Sequence, residues 1–231
     1  MVVNMKKIKN SAFFITLCFV FITLTSCTSN PPSLTTQEGD TVTFGGHKWL
    51  VLDVQENRAL IISSQILMTQ DYQERIGTWD ESALRQQLNG AFYRDTFSGE
   101  EKERIIETNT TTPPNRWAGT YGGGDTTDKI FLLSLEEVVK YFGDSGQLAN
   151  RPQTGDIQHT QISDEYSNLR IAKHKSKAVY WWLRTQGIDG FNVVVDDVGD
   201  IAVCVSLTSN FGAIDIDFYV GIRPALWVSL A

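Results

Sequence analysis

Thr41-Val-Thr-Phe44, Gly45-Gly46, His47-Lys-Trp-Leu-Val-Leu52 is the stretch that decides the fold. Two runs of β-branched, aromatic and leucine residues are separated by two glycines. A two-residue hairpin turn needs positive φ at its centre, which glycine adopts at no steric cost. The stretch therefore predicts an antiparallel hairpin, and the domain opens near Glu38 as β structure. Ala59-Leu-Ile-Ile-Ser63, beyond a polar turn at residues 55–58, predicts a third strand.

Farther on, the hydrophobic period changes. Thr78-Trp-Asp-Glu81 has the spacing of a capping box, and Leu84, Leu88 and Phe92 follow it four residues apart on one helical face, with Asn89-Gly90 as a stop. Ser98-Gly-Glu-Glu101 repeats the box before a short helix carrying Ile105 and Ile106. Ser134-Leu-Glu-Glu137 repeats it before Val138, Val139 and Phe142, with Gly143 as C-terminal cap. Lys129-Ile-Phe-Leu-Leu133 reads as a strand, and β-rich runs return at 178–183, 191–195, 201–207, 214–220 and 221–227. The expected fold is one α+β domain over residues 38–231, with a mixed or antiparallel sheet and about three short helices. Long irregular loops at 108–127 and 144–177 complete it; loops of that length are usually functional or disordered.

Ahead of the domain, Lys6, Lys7 and Lys9 precede an apolar run from 11 to 24, and Leu24-Thr25-Ser26-Cys27 closes it. The run is short for a spanning helix, which needs about 20 apolar residues. The layout resembles bacterial lipoprotein signals. That resemblance implies a signal peptide over 1–26 and a Cys27 carrying diacylglycerol and palmitate-type acyl chains. Residues 27–37, with Pro31-Pro32, then form a tether, and the protein is held on the extracytoplasmic face of a cell membrane. Stable anchoring takes more than one acyl chain, which a diacylglycerol supplies.

Beyond Cys27 lie 204 residues with 17 Lys and Arg against 27 acidic residues, a net charge of −10. Such a surface repels nucleic acid and anionic headgroups and favours neutral or cationic partners. With Cys27 acylated, Cys204 has no disulfide partner. It sits in Ile201-Ala-Val-Cys-Val205 as a buried strand thiol. No zinc spacing or cofactor signature is present.

Phe44-Gly-Gly-His-Lys-Trp49, Thr78-Trp-Asp-Glu-Ser-Ala-Leu-Arg85, Phe131-Leu-Leu-Ser134, Trp181-Trp-Leu-Arg184 and Gly221-Ile-Arg-Pro-Ala-Leu-Trp227 occur in one order. Together they resemble the bacterial family called domain of unknown function 6273, from about residue 38 to 228. The family brings no established activity. The order of elements also resembles C-type-lectin-like and formylglycine-generating-enzyme-like domains, which implies neighbouring first and last strands and a site in the long loops. The lectin disulfides are absent, as are the paired copper-binding cysteines of the generating enzyme.

Several motifs bear on chemistry. Phe142-Gly-Asp-Ser-Gly146 is like a serine-protease nucleophile loop, but Gln147 replaces the next glycine and the segment follows a helix, so a C-cap turn is expected. Tyr121-Gly-Gly-Gly-Asp125 lacks the Lys and Ser/Thr of a phosphate loop and reads as a flexible turn. Asp196, Asp197 and Asp200 offer oxygens to calcium without its usual register, and a hairpin turn is the simpler reading. Asp215 and Asp217 alternate with apolar residues as in a half-buried strand. Arg85, Arg184 and Arg223 lie in apolar motifs and are expected to pair within the domain. Trp117 and Tyr121, with Asp125 and Trp182, are the candidate ligand contacts. The expected function is a binding or scaffold module for a glycan or an envelope protein. The alternative is a hydrolase whose acid and base come from Asp125, Asp128, Asp196 and Asp197.

Overall fold

In the computed structural model Gly45 and Gly46 take φ of 56° and 71°, and they join β1 (Thr41–Phe44) to β2 (His47–Gln55) in the expected antiparallel register, Phe44 opposite His47. The structure describes residues 36–71, 77–150, 160–188, 190–203 and 219–230, all within the compact unit Ser33–Ala231. The lipobox, Cys204, Asp215 and Asp217 lie outside the described residues, as do most of the runs 201–207 and 214–220.

The chain continues through β3 (Arg58–Ser63), β4 (Met68–Asp71), α1 (Ala83–Gln87), α2 (Tyr93–Thr96), α3 (Gly99–Arg104), β5 (Ile105–Ile106), β6 (Thr108–Thr110) and β7 (Thr126–Asp128). Then come α4 (Leu135–Phe142), α5 (Gln147–Asn150), β8 (Gln161–Ile162), α6 (Ser167–Arg170), β9 (Lys173–His174), β10 (Lys177–Ala178) and β11 (Trp181–Gln186). The last are β12 (Asn192–Val195), β13 (Ile201–Ala202), β14 (Tyr219–Ile222) and β15 (Ala225–Ser229). A five-stranded antiparallel sheet runs β1-β2-β3-β15-β5, and a six-stranded mixed sheet runs β4-β14-β11-β12-β13-β8, parallel only between β11 and β14. The class is α+β, as expected. Residues 181–185 are all buried; because successive strand residues face opposite ways, both faces of β11 are covered.

Four indoles, Trp49, Trp79, Trp181 and Trp182, are wholly buried in one core. Such burial is tolerated where the N–H finds an acceptor. Trp49 donates to the Phe44 carbonyl at 2.7 Å, Trp79 to Asp128 at 2.8 Å and Trp181 to the Arg170 carbonyl at 3.0 Å.

Several sequence expectations shift for physical reasons. Thr78 caps nothing with its side chain. Trp79 is drawn into the core and Ser82 becomes the N-cap, accepting the Arg85 N–H. Asn89-Gly90 does not end the helix. The chain runs through a π-helical turn, Leu88–Phe92, into α2, while the Asn89 side chain accepts the amides of Lys129 and Ile130. The boxes at Ser98 and Ser134 have both arms formed, but Ile105 and Ile106 leave the helix to pair with β15. Residues 129–133 are not a strand; only Phe131 bridges, to Ala225. The neighbouring of first and last strands that the lectin-like resemblance implies, residues 48–54 beside 225–228, is not formed either, because β3 lies between β2 and β15.

Candidate functional site

The capping box of α4 places the first wall of a cleft. Glu137 accepts the Ser134 amide through Oε2 at 2.9 Å and takes a bidentate grip from Arg184, at 2.5 and 2.9 Å. The Leu135 amide is held by the Thr185 hydroxyl at 2.8 Å. With its first turn fixed on β11, α4 turns Leu135, Glu136, Val139 and Lys140 toward the cleft.

Buried Asn115 places the second wall. Its side-chain amide donates to the carbonyls of Gln186 and Val203 at 3.0 and 2.8 Å, and its Oδ1 accepts the amides of Trp117 and Ala118. The segment 113–117 is thus tied to the six-stranded sheet, and Trp117 is half-buried against the core. Leu148 on α5 forms the third wall, where Ser145 donates to Asp164 at 2.7 Å and Gly143 caps α4 at φ 122°.

These walls enclose a cavity of about 630 Å³, within the size range of small-molecule sites. Its lining holds Pro113, Pro114, Trp117, Leu135, Val139 and Leu148 among the apolar groups, and Arg116, Glu136, Lys140 and Asp144 among the charged ones. Among the described residues its lining holds no serine, threonine, cysteine, histidine or tyrosine. Burial pushes the Glu136 carboxyl above its ordinary range, against hydrogen bonds from its own amide and the Ser134 hydroxyl. Its Oε2 is buried with no hydrogen-bond partner among the described residues.

Residues 56–230 match the model of the family described as Domain of unknown function (DUF6273). The chain belongs to this family. No curated protein and no solved structure matches it. The span matched by DUF6273 contains every residue of the cleft, while β1 and β2 precede it.

Of the ligand contacts expected from sequence, only Trp117 lines the cleft. Tyr121 is 69% exposed and Asp125 is exposed, both outside the lining. Trp182 has no exposed surface at all; it is a core residue because its strand is covered on both faces, and it offers nothing to a ligand. The glycines 122–124 form no flexible turn. A Cβ on Gly122 would lie 1.8 Å from the Thr112 carbonyl oxygen, and one on Gly123 2.5 Å from Asp80 Oδ1. The Gly124 amide, donating to Asp80 at 2.9 Å, is the chief cause holding that carboxyl below its usual range.

Of the four carboxylates considered for hydrolysis, Asp125 is exposed outside the cleft, and Asp128 and Asp196 are engaged elsewhere. Asp128 is buried beneath Trp79, Arg85 and Thr126. Asp196 Oδ1 accepts the amides of Val198 and Asp200, which makes the hairpin turn. Asp197 lines a separate 340 Å³ cleft with His174, Lys177 and Tyr180. Among the described residues no group of three His, Cys, Asp or Glu converges to hold a metal ion, and no helix is long and apolar enough to cross a membrane.

Glu136 and Arg116 escaped the sequence reading. In Ser134-Leu-Glu136-Glu137 the capping box uses only the third-position glutamate, and the glutamate before it reads as an ordinary first-turn acid.

Proposed function

We propose that this protein is a lipid-anchored extracytoplasmic binding module, and that its ligand, a glycan or a segment of an envelope protein, enters the cleft beside Trp117. The observation that carries the reading is the cleft: a half-buried indole and aliphatic walls next to a few charged groups, at ligand size, with no hydroxyl or thiol side chain among its described lining residues. The basic start, apolar run and Cys27 support the anchor.

Binding is tested on a glycan and peptidoglycan array with the chain beginning at Thr28. Trp117→Ala should lose the features bound by the parent while keeping a cooperative thermal transition, at a somewhat lower melting temperature because the indole packs against the core. Retained binding would remove the cleft from consideration. For the anchor, labelled palmitate should enter the parent and not Cys27→Ser; equal labelling would show that Cys27 is not the attachment point.

A further inference from the structure

We propose that the ligand of this cleft carries a protonated amine, and that Glu136 is the group that holds it. This rests on the cleft being a ligand site. Four observations on the molecule point the same way.

Glu136 is not needed for the capping box or for Arg184, since Glu137 completes the one and receives the other. Its carboxyl nevertheless lies in a largely apolar wall, where a polar group without a partner is costly. One oxygen is already served by the Ser134 hydroxyl and the residue's own amide. The other, Oε2, is buried and lacks a donor among the described residues. A ligand ammonium brings up to three donors and a compensating charge, which makes the ion pair in the low-dielectric wall stronger than any rim contact. The Trp117 indole in the same lining adds a face that attracts cations.

The charges around Glu136 do not reverse this preference. Arg184 beside it is already matched by Glu137. Lys140 is exposed and shares its charge with the Tyr141 hydroxyl at 3.1 Å and with Asp53 at 3.9 Å. Arg116 is exposed at the rim, where solvent and salt screen it over roughly 8–10 Å. Asp144, also in the lining, adds a second negative group. The net charge of the mature chain favours cations as well.

A pH signature follows. Burial raises the Glu136 value in the empty cleft, whereas the ammonium needs the carboxylate. Affinity therefore falls as pH is lowered through that raised value.

The test uses the full chain in phosphatidylcholine nanodiscs and ligand-observed NMR titration with three matched sugars, D-glucosamine, D-glucose and D-glucuronate. Glucosamine should bind about tenfold or more tighter than glucose, as expected for a charge-assisted contact, and tighter at about pH 7 than at about pH 5. Glucuronate should bind least. Glu136→Gln should bring glucosamine down to the level of glucose and abolish the pH dependence, and Trp117→Ala should weaken all binding. Trp117-dependent binding in which glucose or glucuronate equals glucosamine, or glucosamine affinity unchanged in Glu136→Gln, overturns the amine assignment and leaves the cleft as the ligand site. Binding of no sugar, or binding indifferent to Trp117→Ala, removes both.

Discussion

Replacing Arg184 by Met keeps the aliphatic stem and removes the guanidinium. In the native protein this group is 2% exposed and donates to five acceptors: Thr112 Oγ1, the Leu132 and Thr111 carbonyls, and both oxygens of Glu137. Leaving a buried acceptor unmet costs about 1–3 kcal/mol, and two buried ones are affected, the Leu132 carbonyl and Thr112 Oγ1, while Thr111 is exposed to water. Glu137 loses less, because its side chain is 30% exposed and water can replace the cation. The combined loss is therefore about 3–5 kcal/mol, the range found when one partner of a buried pair is deleted. For a domain of 150–250 residues about 1 kcal/mol moves the melting temperature by roughly 2–4 °C, so Arg184→Met should melt about 6–20 °C lower. Calorimetry at one pH and ionic strength measures this, with Glu137→Gln and the double variant completing a cycle. Glu137→Gln should cost less than Arg184→Met, because it leaves the carbonyl contacts in place. If Arg184→Met melted with the parent, or cost no more than Glu137→Gln, the reasoning would be refuted.

Arg223 provides the contrast. It is buried between the rings of Phe142 and Trp181, 5.2 and 5.0 Å away, donates from Nε to the Ser63 carbonyl at 2.8 Å, and keeps Nη1 unpartnered among the described residues; burial lowers its pKa to about 10. Arg223→Met should be neutral or stabilising in thermal melts, since an apolar chain of similar volume avoids burying the charge, whereas Arg223→Ala should destabilise by opening a cavity; a large loss in the methionine variant would show that the charge itself is needed. Gly122→Ala should lower stability by at least about 1–3 kcal/mol, because its Cβ meets the Thr112 backbone; unchanged melting would mean that the loop gives way freely. Glu136 has its folded pKa raised above 4.5, chiefly by burial. Its contribution is present at acid pH and lost as pH rises through the folded value. The melting advantage of Glu136→Gln over the parent should grow between about pH 4 and about pH 8, and a difference that stays flat with pH would contradict this.

Local signals in the chain were reliable where no distant group competed for the same atoms. The Gly45-Gly46 turn and the boxes at Ser98 and Ser134 form as read, because their partners are three residues away or fewer. Thr78 has the same spacing and fails, since Trp79 is bound to Asp128, 49 residues on. Ile105 and Ile106 fit a helix by pattern, but β15 supplies their hydrogen bonds. The cleft was legible through Trp117 in its proline-rich loop. Its carboxyl was hidden, because Glu136 looks like an ordinary first-turn acid until three segments close over it.

The placement of β14 and β15 bears on how the protein is made. Each lies inside its sheet, β14 between β4 and β11 and β15 between β3 and β5, yet both are synthesised after every other described strand. Neither sheet can be completed around a nascent chain that still lacks residues 219–229, so cooperative folding waits for nearly the whole domain to leave the ribosome. Such a delay keeps a growing polypeptide extended and open to chaperones. A stalled or clipped product ending before residue 219 would expose the inner edges of both sheets, unpaired backbone that invites aggregation or proteolysis.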